Sequence, residues 1–260
     1  MKRVFALLLA LLMLLTLVAC SAEEEEEEEE EIDMAVDSTD LVYTVETEAG
    51  KDMFYYEYIN IDEVRIIGFA GPHTLHAITI PEKIDNRDVT TIADEAFKSC
   101  ANINAVNMPA TVTKIGDAAF YGCTELVAVA LPTALESIGE AAFAHCDELA
   151  TVVIPATVTE LGASAFAGCT ALGNVTLSAA LTELPERAFM DCKSLKTVTW
   201  NANATKIGAY AFADCANLEG FVFASTLTEI GEYAFVRCAK QTAPTLPNTV
   251  VGENAFYGTK

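Results

Sequence analysis

The sequence predicts an α/β repeat solenoid with one parallel sheet, short helical turns and a small N-terminal β cap. The first observation is a cysteine every 23 residues, at Cys100, Cys123, Cys146, Cys169, Cys192, Cys215 and Cys238. The second is an Ala-Phe pair with the same period, at Phe97, Phe120, Phe143, Phe166, Phe189, Phe212 and Phe235. A unit of this size cannot bury its own apolar side, so neighbouring units must stack into a continuous core.

Composition limits the function classes. The 260 residues contain 15 Lys+Arg and 38 Asp+Glu, a formal charge of −23. Nucleic acid is excluded as a partner, because its binding requires clustered basic residues. Binding to an anionic membrane surface is disfavoured for the same reason.

The N-terminus predicts export. Lys2 and Arg3 precede an apolar run from Val4 to Ala19, the layout of a secretory signal peptide over residues 1–19. The run is shorter than the about 20 residues that span a bilayer, which disfavours the alternative of an uncleaved signal anchor. Its end, Leu-Val-Ala-Cys20, resembles the lipobox of bacterial lipoproteins. This resemblance implies cleavage before Cys20 and lipidation of its thiol.

Residues 20–40 are predicted to form an acidic tether. They contain nine consecutive glutamates, Glu23–Glu31, which repel one another and extend the chain. A weak divalent-cation site or a surface-sorting signal is the less favoured interpretation. Residues 41–260 form the predicted repeat domain, with a cap over about 41–77, about seven repeats and a truncated last one.

Each repeat contains a V-T-x-[IL]-G segment, an A-F-x-x-C segment and an L-x-x-V-x-[IL] segment, as in "IPATVTELGASAFAGCTALGNVTL" from Ile154. The L-x-x-V-x-[IL] segment is rich in β-favouring residues and ends at a proline, which predicts one short strand per repeat. The A-F-x-x-C segment has a spacing that suits one or two helical turns. A glycine between them is expected to allow a sharp turn or close packing, at Gly116, Gly139, Gly162, Gly208 and Gly231.

The pattern I-P-x-x-V-T-x-I-G-x-x-A-F-x-x-C-x-x-L-x-x-V resembles the BspA-like (Treponema pallidum-type) leucine-rich repeat over about residues 54–258. The resemblance implies a leucine-rich-repeat right-handed superhelix that acts in adhesion or host contact. The aromatic lead-in that contains Phe54 and Tyr56 is similar to the N-terminal cap of these proteins. Pro185, which replaces the repeat glycine, departs from the pattern, as do three residues that replace the turn proline, Ser178, Asn201 and Ala224.

No catalytic residue, metal site or cofactor is predicted. Equivalent cysteines of a regular stack point the same way, which disfavours disulfides and favours free core thiols. A zinc site at His73 and His76 is disfavoured, because no motif supplies further ligands. Catalytic motifs such as G-x-S-x-G and H-E-x-x-H do not occur, so a hydrolase is improbable.

A variable position just before Ala-Phe is the candidate binding edge, occupied by Arg187, Tyr210, Tyr233 and Asn254. Tyrosine and arginine are preferred interface anchors, although a simple exposed tyrosine pair is the alternative. The outward positions of the strands are predicted to be small and uncharged, so this face is expected to be passive. Trp200 is expected in the core.

Together these features predict a non-enzymatic, lipid-anchored bacterial cell-surface protein that binds an extracellular protein or glycan. The lipid would be the only membrane contact. The alternative is a cell-envelope scaffold or spacer without a diffusible ligand.

Overall fold

The computed structural model describes residues 42–47, 50–72 and 74–260. The predicted signal peptide, Cys20 and the acidic tether of residues 20–40 lie outside these residues, as does His73.

The N-terminal cap is an antiparallel meander of β1 (Val42–Thr47), β2 (Gly50–Tyr58) and β3 (Glu63–Ala70). Alternating side chains on its inner face, among them Phe54 and Ile66, are fully buried. β3 then pairs in parallel with the first repeat strand, so the cap covers the N-terminal edge of the repeat stack. The predicted β cap is confirmed.

Most repeats add one strand to a ladder that we call the first ladder. Its strands pair in parallel, with equivalent residues in register, as Val106 with Val129 and Val152 with Val175. They are β4 (His76–Thr79), β7 (Ile103–Asn107), β9 (Ala128–Ala130), β11 (Thr151–Val153), β13 (Asn174–Thr176) and β15 (Thr197–Thr199). They form two three-stranded sheets, β4-β7-β9 and β11-β13-β15.

The V-T-x-[IL]-G segments form another parallel ladder, the second ladder, so most repeats contribute two strands where the sequence predicted one. Pairing here is short, because most of its strands contain two residues. They are β5 (Lys83–Ile84), which pairs antiparallel at the start, β6 (Arg87–Ile92), β8 (Lys114–Ile115), β10 (Ser137–Ile138), β12 (Glu160–Leu161), β14 (Glu183–Leu184), β16 (Lys206–Ile207), β17 (Glu229–Ile230) and β18 (Val250–Val251). β12 and β14 do not pair, so the second ladder is divided into two sheets at this point.

The A-F-x-x-C segments are tight turns, and no α-helix occurs in the described residues. The predicted helical turns are absent because two positions per turn adopt positive φ, for example Ser164 (58°) and Gly168 (75°). A left-handed residue every fourth position cannot continue an α-helix. Alternate N–H groups donate instead to the next repeat, as from Phe166 to the Ala188 carbonyl at 2.9 Å. We call this series of bonds the turn ladder.

Phenylalanine rings and thiols fill the space between the ladders. The rings from Phe97 to Phe256 stack in one column, with centroids 4.8 to 5.7 Å apart. Each cysteine from Cys123 to Cys238 donates its S–H to a phenylalanine carbonyl at 3.0 to 3.2 Å, as Cys169 does to Phe143. This interior confirms the repeat solenoid that the 23-residue period predicts.

The first ladder ends differently from the second. After β15 the equivalent segment around Phe221 is not a strand, whereas the second ladder continues to β18. The buried Gln241 side chain takes over the missing pairing: its Oε1 accepts the Phe221 N–H at 3.0 Å. Its amide group donates to the Thr242 carbonyl at 3.0 Å, so both polar ends of this buried side chain are satisfied.

Candidate functional site

The four residues of the candidate binding edge form one continuous row. The Arg187 guanidinium carbon lies 5.5 Å from the Tyr210 ring centroid. The rings of Tyr210 and Tyr233 are stacked, with centroids 5.0 Å apart and planes inclined by 12°. Asn254 Nδ2 donates to the Tyr233 hydroxyl at 3.1 Å. We call these four residues the tyrosine row.

The turn ladder sets the geometry of the tyrosine row. All four residues have positive φ, from 53° to 56°, and occupy the same place in their turns. The Tyr210 N–H donates to the Glu232 carbonyl and the Tyr233 N–H to the Glu253 carbonyl, at 2.9 and 3.0 Å. Each side chain therefore leaves the backbone in the same direction. The tyrosines are half-buried, whereas Arg187 and Asn254 are exposed.

The tyrosine row combines the guanidinium of Arg187 with the stacked rings of Tyr210 and Tyr233. Arg187 also forms an ion pair with Glu186 at 2.7 Å, which keeps the guanidinium beside the ring. Stacked tyrosines present a flat edge of rigid rings that loses little side-chain entropy on binding. The row can therefore accept an apolar surface, with hydrogen-bonding groups at both of its ends.

The outward face of the first ladder is flat, as expected from the alternation of its residues. Its positions from Ala128 through Thr151 and Asn174 to Thr197 are exposed, small and uncharged. Val153 and Val222 are its most exposed apolar side chains, 63% and 83% accessible. This face offers shape and a few hydroxyl groups, but no charged group.

Trp200 packs partly buried against the core, as expected, and its Nε1 donates to the Leu181 carbonyl at 2.9 Å. His76, the first residue of β4, is buried; its Nδ1 lies 2.8 Å from the Thr74 carbonyl, and its Nε2 lies 2.9 Å from Oδ1 of Asp52 in the cap. Burial lowers the pKa of His76, but these hydrogen bonds outweigh it and hold the pKa above its usual value. His76 thus links β4 to the cap through its contact with Asp52.

Burial dominates the chemistry of the thiols. It raises the pKa of Cys100 to about 11 and that of Cys123 to about 12. The deeper Cys192 and Cys215 have pKa values well above the usual one for the same reason. All seven repeat cysteines are free in the structure. A thiol kept neutral is a poor nucleophile and metal ligand, so these groups act in packing.

The sequence did not predict two features, a hydrogen-bonded cluster around Asp85 and a groove in the second ladder. Between β5 and β6, Asp85 Oδ2 accepts hydrogen bonds from the hydroxyls of the cap residues Tyr56 and Tyr58 at 2.7 and 2.8 Å, and these bonds lower the pKa of Asp85. Its partners are 27 and 29 residues away, so no local pattern indicates them. The other is a groove of about 740 Å³ at the division of the second ladder. Its only sequence signal is Pro185 in a glycine position.

Within the described residues, no group of three or more His, Cys, Asp or Glu side chains is placed to hold a metal ion. The part of the chain that the structure describes also contains no helix with the length and apolarity needed to span a bilayer.

Comparison with solved structures identifies bacterial leucine-rich repeat proteins as similar to this chain. The T. pallidum leucine-rich repeat protein is 29% identical over 64% of this chain and 87% of its own, with a TM-score of 0.52. A leucine-rich repeat protein from Bacteroides ovatus shares the fold at 23% identity and a TM-score of 0.58, over 79% of this chain and 67% of its own.

A third, from Eubacterium ventriosum, shares the fold at 18% identity and a TM-score of 0.57, over 72% of this chain and 65% of its own. No curated protein matches the chain.

The sequence profile of the BspA type leucine-rich repeat region matches residues 47–172 and 136–260, in six copies. Together these matches cover residues 47–260, which include β2, β3 and all the repeats, in agreement with the stacked interior and the ladders. The chain is a member of the BspA-type leucine-rich repeat family.

Proposed function

We propose that this protein is a non-enzymatic, lipid-anchored leucine-rich repeat protein of the bacterial cell surface, which binds an extracellular protein or glycan through the tyrosine row. Proteins of the BspA type are commonly surface proteins, which supports the location. The signal-peptide pattern that ends at Cys20 supports export and lipidation.

One observation carries the binding proposal: the stacked, half-exposed pair of Tyr210 and Tyr233, flanked by Arg187 and Asn254. Interface hot spots are enriched in tyrosine and arginine. The tyrosine side chain combines a rigid apolar ring with a polar hydroxyl group. The first-ladder face has no such group, so it contributes shape alone.

The test is a binding screen of the full chain against extracellular matrix proteins and glycans, followed by two variants. In the first, Tyr210→Ala and Tyr233→Ala remove the rings of the tyrosine row. In the second, Thr176→Lys and Thr199→Lys place charges on the first-ladder face. We expect the first variant to lose binding at least tenfold, the scale of one hot-spot residue, about 1.4 kcal/mol or more.

The second variant is expected to bind the same ligand normally. The reverse result, with both proteins folded, would assign binding to the first-ladder face. A screen that finds no ligand, together with a growth defect on deletion, would favour the scaffold function.

Anchoring is tested separately by Cys20→Ala, which removes the thiol that would carry the lipid. Acyl chains supply membrane affinity through their buried CH₂ groups, so the variant should leave the membrane fraction. Cys100→Ala is the matched control, since this half-buried thiol lies in the repeat domain. Membrane fractionation that is the same for both variants would contradict lipid anchoring.

A further inference from the structure

The second ladder is interrupted at one repeat boundary. At the other boundaries a glycine N–H donates to a carbonyl of the preceding repeat, as from Gly162 to Ile138 and from Gly208 to Leu184, both at 2.8 Å. Pro185 occupies the equivalent position and has no N–H, so the Leu161 carbonyl accepts no such bond.

The interruption extends to the neighbouring bond. At the other boundaries, the residue at the threonine position of V-T-x-[IL]-G also donates its N–H to the preceding repeat, as from Thr205 to the Thr182 carbonyl at 2.7 Å. The N–H of Thr182 has no equivalent bond to Thr159 in the described structure. Close approach is also hindered, because a Cβ at the equivalent Gly162 would lie 2.3 Å from backbone atoms of the adjacent repeat. Pro185 carries such a Cβ.

A groove opens where these bonds are missing. It has a volume of about 740 Å³, and Leu161 and Pro185 lie in its lining. Leu161 is only partly buried, whereas its equivalents Ile138 and Leu184 are buried. The groove therefore exposes an apolar surface next to backbone groups that have no partner within the ladder.

The groove is strongly acidic. Its charged lining consists of one basic residue and five acidic ones: Lys206, Glu160, Glu183, Glu186, Glu229 and Glu232. Lys206 pairs with Glu229 at 3.0 Å, and Arg187 pairs with Glu186. Within the described residues, Glu160, Glu183 and Glu232 form no ion pair, and their side chains are exposed.

We propose that this groove binds an extended cationic peptide segment, rich in lysine or arginine, of another protein. Long basic side chains pack an aliphatic stem on an apolar surface and extend a charged head to carboxylates. Leu161 supplies the apolar surface, and Glu160 and Glu183 supply the carboxylates. A second copy of this chain does not fit, since its charge of −23 repels the groove.

The direct test measures binding of a hexalysine peptide with blocked ends by calorimetry. The protein is the full chain with serine in place of Glu23–Glu31, because that acidic segment would bind the same probe. We expect saturable binding that weakens with added salt. Glu160→Gln with Glu183→Gln should lower the affinity about tenfold, the effect of two exposed charge pairs.

The matched control, Glu125→Gln with Glu219→Gln, removes the same charge from exposed positions outside the groove and should change the affinity less than twofold. Equal losses for both pairs, or no saturable binding, would overturn the proposal.

A second variant tests the origin of the groove. Pro185→Gly supplies the missing N–H and removes the obstructing Cβ, so the second ladder should close. We expect the new amide to be protected from hydrogen exchange and hexalysine affinity to fall about tenfold. Affinity that stays unchanged would overturn the assignment to the groove.

This inference does not depend on the tyrosine row. Tyr210→Ala with Tyr233→Ala should leave hexalysine binding unchanged, so failure of one proposal is distinguishable from failure of the other.

Discussion

The turn ladder and the second ladder respond differently to Pro185. One residue beyond the proline, the Glu186 carbonyl accepts the Ser164 N–H at 2.9 Å, and the Ala188 carbonyl accepts the Phe166 N–H at 2.9 Å. The second ladder loses its bonds at the same boundary. The second ladder requires an N–H at position 185 and has no room for a Cβ there. The turn ladder depends on neither.

The comparison shows how a repeat protein tolerates a change in its consensus. Neighbouring repeats are connected by the first ladder, the second ladder and the turn ladder. At this boundary the turn ladder holds, and so does the first ladder, in which β13 still pairs with β11. The stack therefore continues while one side opens. Stability should therefore depend mainly on the interior between the ladders, and the second ladder should depend on its glycines.

The largest expected effect is on the phenylalanine column. Phe166→Ala removes a fully buried ring between two stacked neighbours, and should lower the free energy of unfolding by about 3–5 kcal/mol. Denaturant unfolding measures this loss. Tyr257→Ala is the control, since this side chain is 67% exposed and should cost little. Similar losses in both variants would contradict the dominance of the interior.

The second ladder is tested by Gly139→Ala. A Cβ at this position would lie 2.5 Å from Asp117 Oδ1 and 2.6 Å from backbone nitrogen, so the repeats must separate. We expect a loss of about 1–3 kcal/mol, the usual cost of overpacking. Gly173→Ala is matched to it, because its nearest neighbour would lie at 3.8 Å. Thermal unfolding should show almost no change there; an equal loss would refute the close-packing argument.

The buried thiols predict a pH dependence. Their folded pKa values are raised, so their stabilising contribution is complete below the unfolded pKa of about 9 and is lost as pH rises towards about 12. Each thiol steepens the decline by at most about 1.4 kcal/mol per pH unit.

Cys123→Ala should therefore give a shallower decline between pH 9 and 11 than the unsubstituted protein, as measured by urea unfolding. Denatured without reductant, the repeat domain should also titrate with its seven cysteines free. A single free thiol there would mean three disulfides and would contradict the packing role.

The smallest expected effect concerns the tyrosine row. Tyr210→Ala and Tyr210→Gly both remove a stacking contact of about 0.5–1.5 kcal/mol. Only glycine relieves the left-handed backbone (φ 56°), so Tyr210→Gly should be more stable than Tyr210→Ala by about 1 kcal/mol. Calorimetric melting of the two variants checks this order; the reverse order would show that the turn ladder does not impose the left-handed conformation.

Much of the interior was predictable because it repeats. The spacing of Phe166 and Cys169 indicates two inward side chains per unit, and the alternation around Val152 indicates a strand. The position of Tyr210 and Tyr233 in one variable column predicts that they are neighbours, since equivalent residues of stacked repeats must lie side by side. Their role in binding stays a prediction.

The turns were harder to predict because spacing is ambiguous. Residues at i, i+1 and i+4 can face inward from one helical turn or from two tight turns, and only the backbone bonds to the next repeat decide between them. The two-residue bridges of the second ladder are likewise too short for a pattern of alternation to predict.

By itself, the sequence determined the period, the stacked interior, the acidic charge and the identity of every residue in each column. The tertiary structure alone decided what Pro185 does. A missing N–H has a consequence only when its partner is known, and that partner, the Leu161 carbonyl, lies 24 residues earlier in the chain. Stacking brings the two together, so the groove belongs to the contact between repeats and to no single repeat.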